Sequence, residues 1–171
     1  MLSLSDNEFS VLSFLVRNFT ERLTIRNIAQ RLNFSAAGVF NILKKLEKQD
    51  IVVGEKLGTG LFYSINFGNK IAGHLAAVVL LYSEEKFEKI DIKQLKQAKA
   101  AVLDRKSLLL VTDNVTVLDI KIPNIDAITK TEDEVIELFR RKELVEILKK
   151  GVVLFGEDNI VEIIKNSISR F

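Results

Sequence analysis

Two residues able to cap helices, Thr24 and Ser35, stand so close together that the chain between them has room for only one short helix and a two-residue turn. Behind Thr24, Ile25, Ile28, Ala29 and Leu32 share one stripe, which predicts a helix over 25–32 that ends near Asn33. Behind Ser35, Val39, Ile42, Leu43 and Leu46 form the apolar face of a further helix and leave Asn41, Lys44, Lys45 and Lys48 polar and outward. Upstream, Ser5 followed by Glu8 has the spacing of a capping box, and Phe9, Leu12, Leu15 and Val16 recur on one face, predicting a first helix over 6–19.

After the third helix the apolar period changes. Residues 51–53 and the aromatic and β-branched run 61–67 favour strands, and the segment 54–60 between them, with Glu55, Lys56 and Thr59, reads as a turn. Three helices and a hairpin form a unit that can insert its third helix into a DNA major groove while the hairpin grips the adjacent groove. The residues expected to meet DNA are Ser35, Ala36, Ala37, Phe40, Asn41, Lys44 and Lys45 on the helix, with Lys56 and Thr59 on the hairpin. Asn41 is suited to bidentate reading of adenine, and Lys44 and Lys45 to neutralising phosphate. Charge points the same way, because residues up to Lys70 carry nine Lys/Arg against six Asp/Glu, while the rest of the chain is close to neutral.

The stretch LTIRNIAQRLNFSAAGVFNILKKLEKQDIVVGEKLGTGLFYSIN resembles the winged helix-turn-helix domains of prokaryotic transcriptional regulators, and the pattern is matched across residues 5–67. The resemblance implies that the recognition helix is the one beginning at Ser35 and that the partner is double-stranded DNA. Phe40 departs from the pattern, at a position where small or polar residues are usual. The competing use of such a unit is as a protein-binding module, in which the same apolar positions build the core and the lysines are solvated.

Beyond the hairpin, Ile71, Leu75, Val78, Val79 and Tyr82 mark one face of a helix over 69–83 and Leu80 and Leu81 another, so that helix is expected to be covered on two sides. The charged stretch 83–99 is helix-compatible, and 100–103, 107–111 and 115–122 read as strands. Thr131 caps a helix over 132–141, a second runs over 143–150 to Gly151, and the apolar run 152–156 precedes a last amphipathic helix from Asp158. The tail LFRRKELVEILKKGVVLFGEDNIVEII resembles the end of small archaeal nucleotidyltransferase-like domains. Catalysis in that family requires a Gly-Ser turn and paired carboxylates holding Mg²⁺. Here the corresponding segment reads DRKS (104–107), and no glycine lies between Gly73 and Gly151. Asp104, Asp113, Asp119 and Asp126 are therefore read as turn or strand-end carboxylates, and no catalytic role is carried over.

The expected fold class is α+β: a winged helix-turn-helix over 1–68, a connecting helical segment over 69–99, and a mixed α/β domain over 100–171 that resembles a nucleotidyltransferase fold without its chemistry. The absence of Cys and the single His74 argue against thiolate sites, a histidine metal site and a Ser-His triad, so neither cofactor nor metal is expected. No signal-peptide pattern opens the chain, and the most apolar window, 71–82, is too short to span a bilayer, so a cytoplasmic protein is expected. That window and the pairing of winged helices on two half-sites predict a homodimer. The reading that competes with a regulator is a nucleotidyltransferase-like enzyme with an atypical active site.

Overall fold

The computed structural model describes residues 4–82, 90, 95, 97–113 and 122–168. The chain divides into two compact units, Met1–Val79 and Leu80–Phe171.

The first unit opens with α1 (Asp6–Arg17), α2 (Ile25–Leu32) and α3 (Ala36–Lys48). Each starts at the cap its sequence marks. Ser5 and Glu8 exchange side-chain and backbone hydrogen bonds, and Thr24 does the same with Asn27, so both caps are closed boxes that satisfy orphan amides of the first turn. The Ser35 hydroxyl accepts from the Gly38 N–H at 3.0 Å. At the other end of α2, Asn33 takes a left-handed conformation (φ 55°), which lets the chain reverse within two residues. The stripes meet in one core: Val11, Leu12, Leu15 and Val16 of α1, Ile28 of α2, and Val39, Leu43 and Leu46 of α3 are all buried.

The hairpin closes this core. β1 (Val52–Leu57) and β2 (Gly60–Ile65) pair antiparallel, and Val52, Tyr63 and Ile65 project inward. The turn is tighter than the expected 54–60 segment. Gly54, Glu55 and Lys56 continue the strand, opposite Tyr63, Phe62 and Leu61, and only Gly58 and Thr59 connect. Gly58 has φ 60° and Thr59 does not, the type II′ pattern that matches strand twist. A β-bridge between Leu23 and Tyr63 ties the hairpin to the approach to α2. Past α3, Asp50 adopts φ 59°, and its carbonyl and carboxylate accept from the amides of Asn66 and Asn69, which joins the end of α3 to the start of α4 (Lys70–Leu81). Ala72, Ala76 and Val79 of α4 are buried, and the Val79 carbonyl accepts from the Arg17 guanidinium at 3.1 Å.

The second unit is built on a four-stranded sheet in the order β5-β4-β3-β6. β3 (Ala100–Leu103) pairs antiparallel with β4 (Ser107–Thr112) and with β6 (Val152–Phe155), whereas β5 (Asp126–Thr131) runs parallel to β4. The fully buried, continuous apolar runs of β3 and β4 are those of strands covered on both faces. Ala101, Leu103, Leu108 and Leu110 pack with Leu95 on one face. Toward the sheet also pack α5 (Glu132–Arg140), α6 (Val145–Lys150) and α7 (Glu157–Ile168), which bury Val135, Phe139, Leu148, Ile160 and Ile164. Gly156 joins β6 to α7 at φ 75°, where an added Cβ would stand 2.2 Å from the Lys99 carbonyl oxygen. The expected strand over 115–122 lies almost wholly, and the charged stretch 83–99 largely, outside the described residues.

Candidate nucleic-acid interface

On α3 the buried side is set by Val39, Leu43 and Leu46, so helical geometry puts Ala37, Asn41, Lys44 and Lys48 on the opposite side at i, i+4, i+7 and i+11. All four are exposed. This outward stripe has two flanks. Phe40 and Glu47 lie on the flank toward the hairpin, and Lys45 lies on the flank toward α1.

The charges on these positions are not equivalent. Lys44 Nζ lies 2.6 Å from Glu47 Oε2, and the contact raises the lysine pKa, chiefly through that hydrogen bond. Lys45 Nζ lies 2.6 Å from Oε1 of the buried Glu8, whose carboxyl is held below the usual glutamate range by Lys45 and by the Ser5 N–H. Lys48 makes no ion pair among the described residues and is exposed at the C-terminal end of the stripe. Arg22 and Arg26, ahead of and within α2, are likewise exposed and without an ion pair among the described residues. Arg31 is committed elsewhere: it pairs with Glu21, donates to Asn18 Oδ1 at 2.8 Å and lies over the Phe14 ring.

Each residue expected at the interface has a definite place. Ser35 is exposed, but its hydroxyl is engaged as the α3 cap. Ala36 and Ala37 are exposed in the first turn, Asn41 is exposed at the centre of the stripe, and Phe40 retains 44% exposure on its flank. Lys56 is exposed on β1 and Thr59 at the tip of the turn. The structure thus brings the α3 residues to one surface, with Lys45 set to the side by Glu8. Lys48 was not among the expected contacts, although its spacing from Asn41 and Lys44 places it on the same stripe.

In the second unit, Asp104 and Asp113 are engaged in structure. Asp104 Oδ1 accepts from the N–H groups of Lys106 and Ser107 at 2.8 and 2.7 Å, holding the β3–β4 turn, and Asp113 pairs with Lys99. Asp126 is exposed at the start of the edge strand β5, and Asp119 lies outside the described residues. Among the described residues, no three His, Cys, Asp or Glu side chains gather in a way that would hold a metal, and no helix is long and apolar enough to cross a membrane.

Comparison with known protein families agrees with the geometry of the first unit. The model of the MarR family matches residues 2–59. A solved structure, that of CymR (YrzC), the global cysteine regulator of B. subtilis, is similar over 55% of this chain and 79% of that one, at 17% identity and a TM-score of 0.35. No curated protein matches the chain. The N-terminal part of this chain is a MarR-family winged helix-turn-helix domain, a DNA-binding domain of the transcriptional-regulator kind.

Proposed function

We propose that the protein regulates transcription by laying α3 in the major groove of double-stranded DNA, with the wing against the neighbouring backbone. The observation that carries this reading is the outward stripe of α3: Ala37, Asn41, Lys44 and Lys48 are exposed together on a helix whose opposite side is core. Asn41 reads a base edge, Lys44 and Lys48 meet phosphates, and Lys56 and Thr59 reach the backbone from the wing. Ser35, Ala36, Phe40 and Lys45 complete the contact surface at its edges. The small exposed side chains of Ala36 and Ala37 favour close approach of the helix end to the bases.

The second unit serves this role without chemistry of its own. What supports this is Asp104, the one carboxylate near the position of a catalytic pair in nucleotidyltransferase-like domains, since its oxygen is taken up by two backbone N–H groups of its own turn.

The protein acts as a homodimer, and α4 supplies the contact. Ile71 and Val78 are each 53% exposed on one side of that helix, with Tyr82 at 51%, an apolar face suited to a second copy.

Selection of bound duplexes from a random-sequence pool, followed by titration at several salt concentrations, tests the reading. Specific enrichment with log K falling by about 0.9 per log unit of salt for each phosphate contact is expected. Enrichment of no sequence, with a flat salt response, would instead support a protein-binding module centred on Phe40.

A further inference from the structure

Glu47 sits where the recognition helix meets the wing. Its Oε2 lies 2.6 Å from Lys44 Nζ, which belongs to the outward stripe. Its Oε1 would lie 2.9 Å from a Cβ added at Gly54, and the same added atom would lie 3.2 Å from Cε1 of Tyr63. Glu47 and the Tyr63 ring therefore face each other across the bare backbone of Gly54. Tyr63 is 1% exposed, and its hydroxyl is buried without a hydrogen-bond partner. A buried polar group left unsatisfied costs about 1–3 kcal/mol, so its persistence on a ring that faces Glu47 across Gly54 calls for a reason. The environment already couples these groups: burial raises the Tyr63 pKa first, Lys44 opposes that rise and Glu47 adds to it.

We propose that Glu47 is a positioning residue for DNA binding, holding Lys44 in the free protein and turning to accept a hydrogen bond from the Tyr63 hydroxyl when Lys44 transfers to a phosphate oxygen. This rests on the reading that the outward stripe of α3 faces DNA. The exchange leaves no charge unpaired. Lys44 passes from one anion to another, and the carboxylate it leaves is met by the Tyr63 hydroxyl, a buried donor without a partner among the described residues of the free protein. The wing, which carries Tyr63, thereby senses whether the recognition helix is engaged.

The test uses the full chain and a fluorescein-labelled duplex taken from a random-sequence selection. Glu47→Gln releases Lys44 and keeps an oxygen that accepts from the Tyr63 hydroxyl, though as a neutral and weaker acceptor, so binding is expected to lie between wild-type strength and about fivefold tighter, the upper end for one exposed ion pair. Tyr63→Phe removes the donor used only in the bound state. It is expected to weaken binding by about tenfold, the scale of one hydrogen bond to a charged group, while the thermal midpoint of the free protein stays the same or rises. In a Glu47→Ala background, Tyr63→Phe is expected to leave DNA binding unchanged. Wild-type affinity in Tyr63→Phe, equal losses with and without Glu47, or weaker binding by Glu47→Gln each overturn the inference. A lower thermal midpoint for Tyr63→Phe overturns it as well, because the hydroxyl would then have a partner in the free protein. Failure of the wild-type chain to bind any duplex would instead overturn the DNA reading itself, and the inference with it.

Discussion

Glu8 and Lys45 tie the start of α1 to the flank of α3: Glu8 Oε1 lies 2.6 Å from Lys45 Nζ, while Glu8 Oε2 accepts from the Ser5 N–H at 2.9 Å. One carboxylate thus closes an N-terminal box and fixes how α3 is presented. Glu8 is buried, whereas the Lys45 side chain that reaches it is 46% exposed.

Glu8→Gln keeps the box, since glutamine also accepts from the cap N–H, but it removes the ion pair. A loss of about 1 kcal/mol at neutral pH is expected by urea denaturation. The acid response has a definite sign. The folded pKa of Glu8 is lowered, first by Lys45 and then by the Ser5 N–H, so its contribution is present above the unfolded glutamate pKa of about 4.3 and is lost as pH falls through the folded value. Wild type is therefore expected to lose its advantage over Glu8→Gln on going from neutral pH to about pH 3. An advantage that persists undiminished at the lower pH would show that Glu8 does not titrate as described.

Asn66→Ala removes the amide that donates to both the carbonyl and the carboxylate of Asp50, at 3.2 and 2.9 Å. These bonds hold a non-glycine residue in the left-handed region at the end of α3. Destabilisation of about 1–2 kcal/mol is expected in urea. An unchanged midpoint would assign that task to Asn69 alone.

Lys48→Ala removes a lysine that has no ion pair among the described residues, so its full charge is available to phosphate. Titrations across salt concentrations are expected to show a slope shallower by about 0.9, with affinity lowered for all sequences alike. Identical slopes for the variant and the parent would take Lys48 out of the interface.

Much of this was legible because it is local. Ser5, Thr24 and Ser35 mark helix starts through contacts three residues away, and the apolar stripes behind them follow from periodicity alone. The wing turn was less so. Gly54 looks like part of a turn, yet it continues β1 opposite Tyr63, close to Glu47, where a side chain would collide. The pairing of Lys45 was not legible, since its partner Glu8 is remote in sequence and meets it only when α1 and α3 pack. Lys48 was within reach of the sequence, because it repeats the spacing of Asn41 and Lys44. In the second unit the strands at 100–103 and 107–112 could be read from their apolar runs. That β5 would lie parallel beside β4, and β6 on the far side of β3, is decided by packing that no local pattern encodes.

Val78→Glu places a charge in the exposed apolar face of α4 without touching the buried Ala72, Ala76 or Val79. Light scattering is expected to show a dimer for the wild type and a monomer for the variant, with the fold retained by circular dichroism. The same mass for both proteins would remove α4 as the contact.

Asn41 is the most direct probe of DNA reading by the outward stripe of α3, being exposed at its centre. Duplexes selected by the wild type and by Asn41→Ala are to be compared position by position. The expected result is retained binding with preference relaxed at a single A·T pair, at a cost of about 1–3 kcal/mol for the preferred site. The same selected sequence and the same affinity for both proteins would contradict DNA reading by that stripe.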